Sequence, residues 1–253
     1  MTDVGLKDRI YFASDFHLGL GPSEDARRRE LHVVKWLDQV KGDAEAIYLV
    51  GDLFDYWWEF RKVVPKGFTR FLGKISEITD AGTEVHFFPG NHDMWVGDYL
   101  SAECGMILHD EPITILLKGK KFHIAHGHGL AAGSRAYRVL LWIFRNRFLQ
   151  RLFSALHPRY SVAMGQRWSG NSRLAKGYSH QFKGEENESL FIYAREILRN
   201  ESIDYFVFGH RHLALDYLLK EGGRLTILGN WFSAPCYLKW DGKDLALIDF
   251  TCR

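Results

Sequence analysis

Thr83–Asp93 reads TEVHFFPGNHD, and the reading of this stretch decides the fold. A short apolar run, Val85 to Phe88, passes through proline and glycine into Asn91, His92 and Asp93. An apolar run of this length bounded by a Pro-Gly turn reads as a buried strand. Three polar side chains at one tight corner cost stability unless something uses them.

The same pattern recurs on both sides of it. RIYFASD (9–15) and AIYLVGD (46–52) are short apolar runs that end on an acid. Between them EDARRRELHVVKWLDQVKG (24–42) places Leu31, Val34, Trp36, Leu37 and Val40 roughly at helical spacing and stops at Gly42. GFTRFLGKISEITDAG (67–82) is a second amphipathic helix with a glycine stop. Strand, helix, strand, helix, strand with connections this long implies parallel pairing in an α/β sheet. ITILLKGKKFHIAHGHG (113–129) predicts a hairpin about Gly119 whose second strand ends at His126. IDYFVFGHRH (203–212) is another strand running into a loop, and 213–230 and 236–250 are two hairpins.

The candidate strands share their endings: Asp15 with His17, Asp52, Asn91 with His92 and Asp93, His126 with His128, and His210 with His212. Ligands in open α/β sheets collect outside the carboxyl ends of strands, so these clusters should converge. Carboxylate, imidazole and amide donors without thiolate suit Mn, Fe or Zn. Seven of them (Asp15, His17, Asp52, Asn91, His126, His210 and His212) exceed the needs of one ion. Shared between two ions about 3.5–4 Å apart, they could clamp the attacking and leaving oxygens of a phosphoryl displacement.

Composition narrows the class without naming a substrate. The chain has 253 residues, 46% hydrophobic and 25% charged, which suits one domain with a sizeable core. Cys104, Cys236 and Cys252 form no CxxC pair, which argues against a disulfide framework and fits a reducing compartment. No signal peptide is expected, and no run approaches the roughly 18 apolar residues of a spanning helix. The expectation is a cytoplasmic protein. The formal net charge of +2 is uninformative, but its distribution is not. Residues 130–184 contain no Asp or Glu and ten Lys or Arg, interleaved with bulky apolar side chains as in YRVLLWIFRNRFLQRLFSAL (137–156). This segment is expected to be a helical cap inserted in a single domain spanning 1–253. Its composition suits an acylated, phosphate-bearing ligand or a membrane surface; an ordinary amphipathic helix on the core is the alternative. Nucleic acid is not expected despite the basic charge, because the large apolar residues fit a lipid better. No protein partner is inferable. Arg135, Tyr137, Arg167 and Lys176 are candidates for substrate contact.

DFHLG, GDLFD, GNHD, HGH and GHRH, in this order, resemble the motifs of the calcineurin-like metallophosphoesterase superfamily. The resemblance implies an α/β fold of two packed mixed β-sheets flanked by helices. It implies Asp15, His17, Asp52 and His212 around one metal, Asp52, Asn91, His126 and His210 around the other, and Asp52 bridging. It makes His92 the residue facing substrate, with Asp93 orienting its ring. Histidine is a reasonable choice there, since it exchanges protons near neutral pH.

Within that superfamily DFHLG, GDLFDYWW and the position of the cap are most similar to the UDP-2,3-diacylglucosamine pyrophosphohydrolases of lipid A biosynthesis. That resemblance implies release of UMP and an acylated sugar phosphate, a preference for Mn²⁺ (with Fe or Zn as alternatives) and peripheral contact with the inner membrane. Two positions depart from its pattern: His92 stands where arginine is usual, and His128 where aspartate is usual. A broader phosphodiesterase or nucleotide pyrophosphatase acting on soluble substrates is the alternative.

Overall fold

The computed structural model describes residues 7–130, 139, 142–144, 146–176 and 181–250, with the side chains at 166, 168 and 171–176 outside that description. Two sheets form its centre. The first has the order β11-β10-β1-β2-β3-β4, built from β1 (Arg9–Ala13), β2 (Ala44–Leu49), β3 (Glu84–Phe87), β4 (Ile107–Leu108), β10 (Cys236–Trp240) and β11 (Leu245–Asp249). Strands β1 to β4 run parallel to one another, whereas β10 and β11 add on antiparallel. The second sheet has the order β5-β6-β7-β9-β8, from β5 (Ile113–Leu117), β6 (Lys120–Ala125), β7 (Tyr205–Phe208), β8 (Ala214–Leu218) and β9 (Arg224–Leu228). Its inner strands β6, β7 and β9 are parallel and its two edges antiparallel.

Alternation along each strand explains how both faces are filled. Ile10, Phe12, Tyr48 and Val50 from the first sheet meet Phe122, Ile124, Val207 and Leu228 from the second, forming the central core. The intervening residues Tyr11, Ala13, Ile47 and Leu49 face outward onto helices α1 (Ser23–Val40) and α2 (Thr69–Asp80). A short helix α3 (Tyr99–Cys104) closes that layer. Helix α6 (Ser189–Leu198) covers the far side of the second sheet through Leu190, Phe191 and Ala194. This is the α/β arrangement of two mixed sheets flanked by helices that the sequence implies.

Helix α1 turns the expected face inward except at Leu31, and Val34 packs partly buried at its side. Val33, Trp36, Leu37 and Val40 are buried at spacing i, i+3, i+4, i+7, while Leu31 is 44% exposed. The buried Glu30 on the same helix accepts hydrogen bonds from the amides of Arg70 and Phe71. It thereby satisfies two donors at the start of α2, which has no side-chain cap of its own.

Helices α4 (Arg147–Ser154) and α5 (Pro158–Lys176) come from the basic segment. Asn146 caps α4, accepting from the amides of Phe148 and Leu149. The segment meets the sheets' end through aromatic contacts. Phe153 lies 4.6 Å from Trp58 between ring centroids, and Phe144 lies 5.0 Å from Trp95. Gly165 on α5 lets the Tyr56 ring approach so closely that a Cβ there would lie 2.0 Å from it.

One buried histidine on β6 makes the fold sensitive to acid. His123, 6% exposed and bonded to Thr114 Oγ1 and the Tyr193 hydroxyl, is pushed by burial from 6.5 down to about 4. Between pH 6.5 and 4 the unfolded chain takes up a proton that the folded chain refuses, so stability falls as pH falls. The contribution at pH 5 is ~2 kcal/mol. Urea denaturation of the unmodified chain and of His123→Phe at pH 7 and pH 5 isolates this group: relative to the unmodified chain, the variant should gain ~2 kcal/mol of stability on going from pH 7 to pH 5. An unchanged pH slope in the variant would refute the assignment.

Candidate active site

Seven non-glycine residues among those described have positive φ, and five of them are candidate ligands: Asp15 (55°), His17 (44°), Asp52 (51°), His210 (65°) and His212 (53°). A side chain in the left-handed region costs roughly 1–2 kcal/mol. Such conformations persist where the surroundings over-determine them, and they mark functional sites. Here the chain turns sharply as it leaves a strand, which aims consecutive side chains at one point. Two glycines make room for the convergence: a Cβ on Gly90 would lie 2.2 Å from Asp52 Oδ1, and one on Gly51 would lie 2.3 Å from His126 Nδ1.

Six of the seven candidates come together in two groups. Asp15, His17, Asp52 and His212 are all buried, and one donor atom from each lies within 4.8 Å of all the others. His212 Nε2 is 3.0 Å from Asp15 Oδ1, and His17 Nε2 is 3.1 Å from His212 Nε2 and 3.8 Å from Asp52 Oδ2. Asp52, His126 and His210 form a second group, with His126 Nε2 3.4 Å from Asp52 Oδ2. Asp52 is common to both. The Asn91 side-chain oxygen is buried with no hydrogen bond, as are Asp15 Oδ1 and His126 Nε2. Buried polar atoms are rarely left so, and a metal ion is the partner that these donors fit.

The atoms behind the donors are held firmly. Asp15 Oδ2 accepts from Ser14 Oγ at 2.6 Å and from the His210 amide at 3.0 Å, leaving Oδ1 turned to the histidines. Asp52 Oδ1 accepts from the His92 amide at 2.8 Å. His126 Nδ1 lies 2.8 Å from the Val50 carbonyl, which can only accept; this fixes the proton on Nδ1 and frees Nε2. His17 Nδ1 lies 3.4 Å from Asp55 Oδ1. Burial opposes charge throughout, but the groups stabilise one another. The aspartates drive His17 to about 10 and His126 to about 9. The histidines in turn hold Asp15 and Asp52 below the usual carboxylate range. A cluster that shares charge so strongly is organised to receive a cation in place of protons.

His92 borders this cluster, its ring 4.8 Å from that of His17. The expected contact between Asp93 and that ring is replaced by another. Asp93 is fully buried and receives four backbone amides: Gly90 at 2.6 Å, Leu53 at 2.6 Å, Phe54 at 3.2 Å and Asp52 at 3.3 Å. Both carboxylate oxygens are therefore spent on binding the turn after β3 to the turn after β2. Burial and the charge of Asp52 nonetheless push Asp93 up to about 7. The His92 ring is oriented instead by the Asp55 carbonyl at 3.0 Å and Ser169 Oγ at 2.9 Å, both from Nδ1.

Asp55 and Ser169 are the partners that sequence reasoning missed. Asp55 stands three residues after Asp52 in GDLFD, so the spacing held a signal; Ser169 is one of several serines in the basic segment and carried none. His128 is half-buried, its ring 5.4 Å from that of His126 and 6.4 Å from that of His210. Of the candidate substrate contacts, Arg167 is exposed on α5, Arg135 and Tyr137 lie outside the described residues, and so does the side chain of Lys176.

A cavity of about 270 Å³ opens from Asn91 and His92 between the sheet ends and the basic segment, lined by Asp55, Tyr56, Trp95, Phe144, Phe153, Met164, Gly165 and Ser169. A second, of about 210 Å³, continues from Trp95, Phe144 and Phe153 to Trp58, Ile143, Leu149 and Gln150. The walls are predominantly apolar.

These contacts separate two kinds of variant. Asp93→Asn turns an amide group toward backbone donors and should lower metal affinity about 10–100-fold, as loss of a supporting hydrogen bond does elsewhere. Asp52→Ala should lose both groups' metal. His92→Ala should retain metal, measured by elemental analysis after gel filtration. Equal metal loss in His92→Ala and Asp93→Asn would sink this division of roles.

Comparison with known proteins agrees with the geometry. The calcineurin-like phosphoesterase family model matches residues 8–214. The chain is 42% identical to a UDP-2,3-diacylglucosamine hydrolase of Porphyromonas gingivalis, over 96% of this chain and 97% of that one. It is 27% identical to the protein of the same name from Edwardsiella ictaluri, over 96% and 92% of the two chains. To that of Neisseria meningitidis serogroup B it is 29% identical, over 94% and 96%. With its clustered aspartates and histidines, the chain belongs to the calcineurin-like phosphoesterase family and is a metal-dependent phosphoester hydrolase.

Proposed function

We propose that the protein hydrolyses the pyrophosphate of UDP-2,3-diacylglucosamine to UMP and 2,3-diacylglucosamine 1-phosphate, a step of lipid A biosynthesis. The observation that carries this reading is the pair of apolar cavities that share Trp95, Phe144 and Phe153, the first of which begins at His92. A soluble nucleotide needs no such lining, whereas acyl chains do. The names of the relatives support the same substrate.

In this reading Asp15, His17, Asp52 and His212 hold one divalent ion and Asp52, Asn91, His126 and His210 the other, with Mn²⁺ the preferred metal. When bound, the ions supply Lewis-acid polarisation of phosphoryl oxygens and make water acidic enough to attack near neutral pH. The protein's own groups do the rest. His92 keeps a proton on Nδ1, because the Asp55 carbonyl can only accept it, and so presents Nε2 to substrate. Burial lowers the basicity of His92. Burial therefore favours the neutral ring, whose Nε2 faces the substrate.

Segment 130–184 acts as a cap. Ser169 reaches from α5 to the His92 ring, so acyl binding and phosphoryl contact share one wall. Arg135, Tyr137, Arg167 and Lys176 remain proposed contacts for the anionic sugar phosphate. Among the described residues no helix is long and apolar enough to cross a membrane. The cap is nevertheless suited to lie on one: α4 has no buried residue, and Trp142 (64%), Phe148 (66%) and Leu152 (54%) are exposed beside Arg147 and Arg151. Such a surface would insert apolar side chains at the headgroup boundary and draw anionic lipid to its arginines.

The decisive assay is Mn²⁺-dependent UMP release from UDP-2,3-diacylglucosamine, run beside UDP-glucosamine and a chromogenic phosphodiester. Each buried methylene contributes ~0.8 kcal/mol, so shortening a chain by about four carbons should lower kcat/KM on the order of 100-fold. Equal turnover of all three substrates would show an enzyme for soluble esters instead. For the membrane, sedimentation with vesicles containing anionic phospholipid should capture the protein. Phe148→Ser with Leu152→Ser should release it, and added salt should weaken binding. Capture insensitive to both would place the contact elsewhere.

A further inference from the structure

We propose that a second cavity beside the metal centre receives the nucleoside half of the substrate, an inference that rests on the pyrophosphate reading above. Strands β1, β2, β3 and β4 lie side by side in that order and run parallel. The first three deliver candidate ligands from their carboxyl ends. The fourth, too short to be noticed in the sequence, ends at His109 and Asp110 and so occupies the next place in the same row. From the other sheet β6 brings His126 and His128. Between these ends lies a cavity of about 160 Å³, lined among others by Phe88, His109, Asp110, Glu111, His126 and His128.

Its lining is more polar than the acyl cavity's. The two share no lining residue, and the turn after β3 divides them, with Phe88 and Pro89 on one side and Asn91 and His92 on the other. One wall of the second cavity is buried His126, whose Nε2 has no hydrogen bond within the protein. Asp110 and Glu111 are exposed carboxylates at its mouth. They repel a phosphate but accept hydrogen bonds from hydroxyl groups. The His109 ring is a fixed platform: it lies 4.6 Å from Phe88 at an interplanar angle of 18°, and its Nε2 is 2.9 Å from His86 Nδ1. A ligand that suits this place has a flat uncharged ring and vicinal hydroxyls, joined to an anion that stops at the metals. A nucleoside 5′-phosphate has that form, and the small volume favours a pyrimidine. Among the described residues of the cap only Leu130, at its first position, lines this cavity, so the core supplies nearly all of the described wall.

The test is calorimetric titration of UMP, and of methyl phosphate as the bare anion, into the Mn²⁺-loaded full chain. The variants are His109→Ala and the double variant Asp110→Ala with Glu111→Ala, each checked for metal content and thermal stability. UMP should bind the unmodified protein at least roughly 10-fold tighter than methyl phosphate, and both variants should lose most of that margin while methyl phosphate affinity changes less than about twofold. Equal affinities in the unmodified protein, or a margin that survives both variants, would overturn the proposal. Failure of the substrate reading looks different: the UMP margin would be present and sensitive to the variants, yet UDP-2,3-diacylglucosamine would not be cleaved. Cleavage of that substrate with a margin insensitive to the variants removes the nucleoside site and leaves the function standing.

Discussion

Four backbone amides converge on the carboxylate of Asp93, and the rest of the site depends on that junction. The turn after β2 carries Asp52 and Asp55, and the turn after β3 carries Asn91 and His92. The turn after β2 is bonded to the turn after β1 through the amides of His17, Leu18 and Asp55, but the turns after β2 and β3 both lie beyond the ends of their own strands. A buried carboxylate with both oxygens occupied ties the two together, and the His92 amide returns the tie to Asp52. The bridging ligand is thus positioned from two sides before any cation arrives. Preorganisation of this kind lets binding energy go into the cation rather than into ordering the loops.

The sequence revealed the chemistry of this centre more completely than its mechanics. Asp15, His17, Asp52, Asn91, His126, His210 and His212 were legible because each follows a short apolar run, and the carboxyl ends of parallel strands meet. The hairpins at Gly119, 213–230 and 236–250 were legible from alternation and glycine. What escaped depends on partners far apart in the chain. The tie made by Asp93 reaches across some forty residues to Asp52, Leu53 and Phe54, and a side chain's residue type does not say whether it meets a ring or an amide. Ser169 reaches His92 from 77 residues away. Strand β4 has two residues and no periodicity to detect. On α1 the apolar spacing misplaced only Leu31, because a helix with apolar residues on several sides leaves the choice to its neighbours.

The two cavities flanking the centre divide recognition between old and added parts of the fold. The one beside His109 is built almost wholly from the ends of strands and their turns, the apolar one largely from α4, α5 and the aromatics that receive them. The join between cap and core combines ring contacts and a glycine against Tyr56 with hydrogen bonds, from Trp95 Nε1 to the Phe144 carbonyl and between Ser169 Oγ and the His92 ring. The position of the cap is therefore tied directly to that of His92.

The left-handed backbone at Asp15, His17, Asp52, His210 and His212 carries a longer consequence. Each of these positions would be relieved by glycine, which adopts such a conformation without penalty. Random substitution at the five sites therefore has a downhill direction, and it leads away from catalysis toward a sturdier shell of the same shape. Only selection for turnover keeps the fold at its present, more strained composition. A lineage released from that selection would be expected to retain the double sheet long after its active centre had eroded.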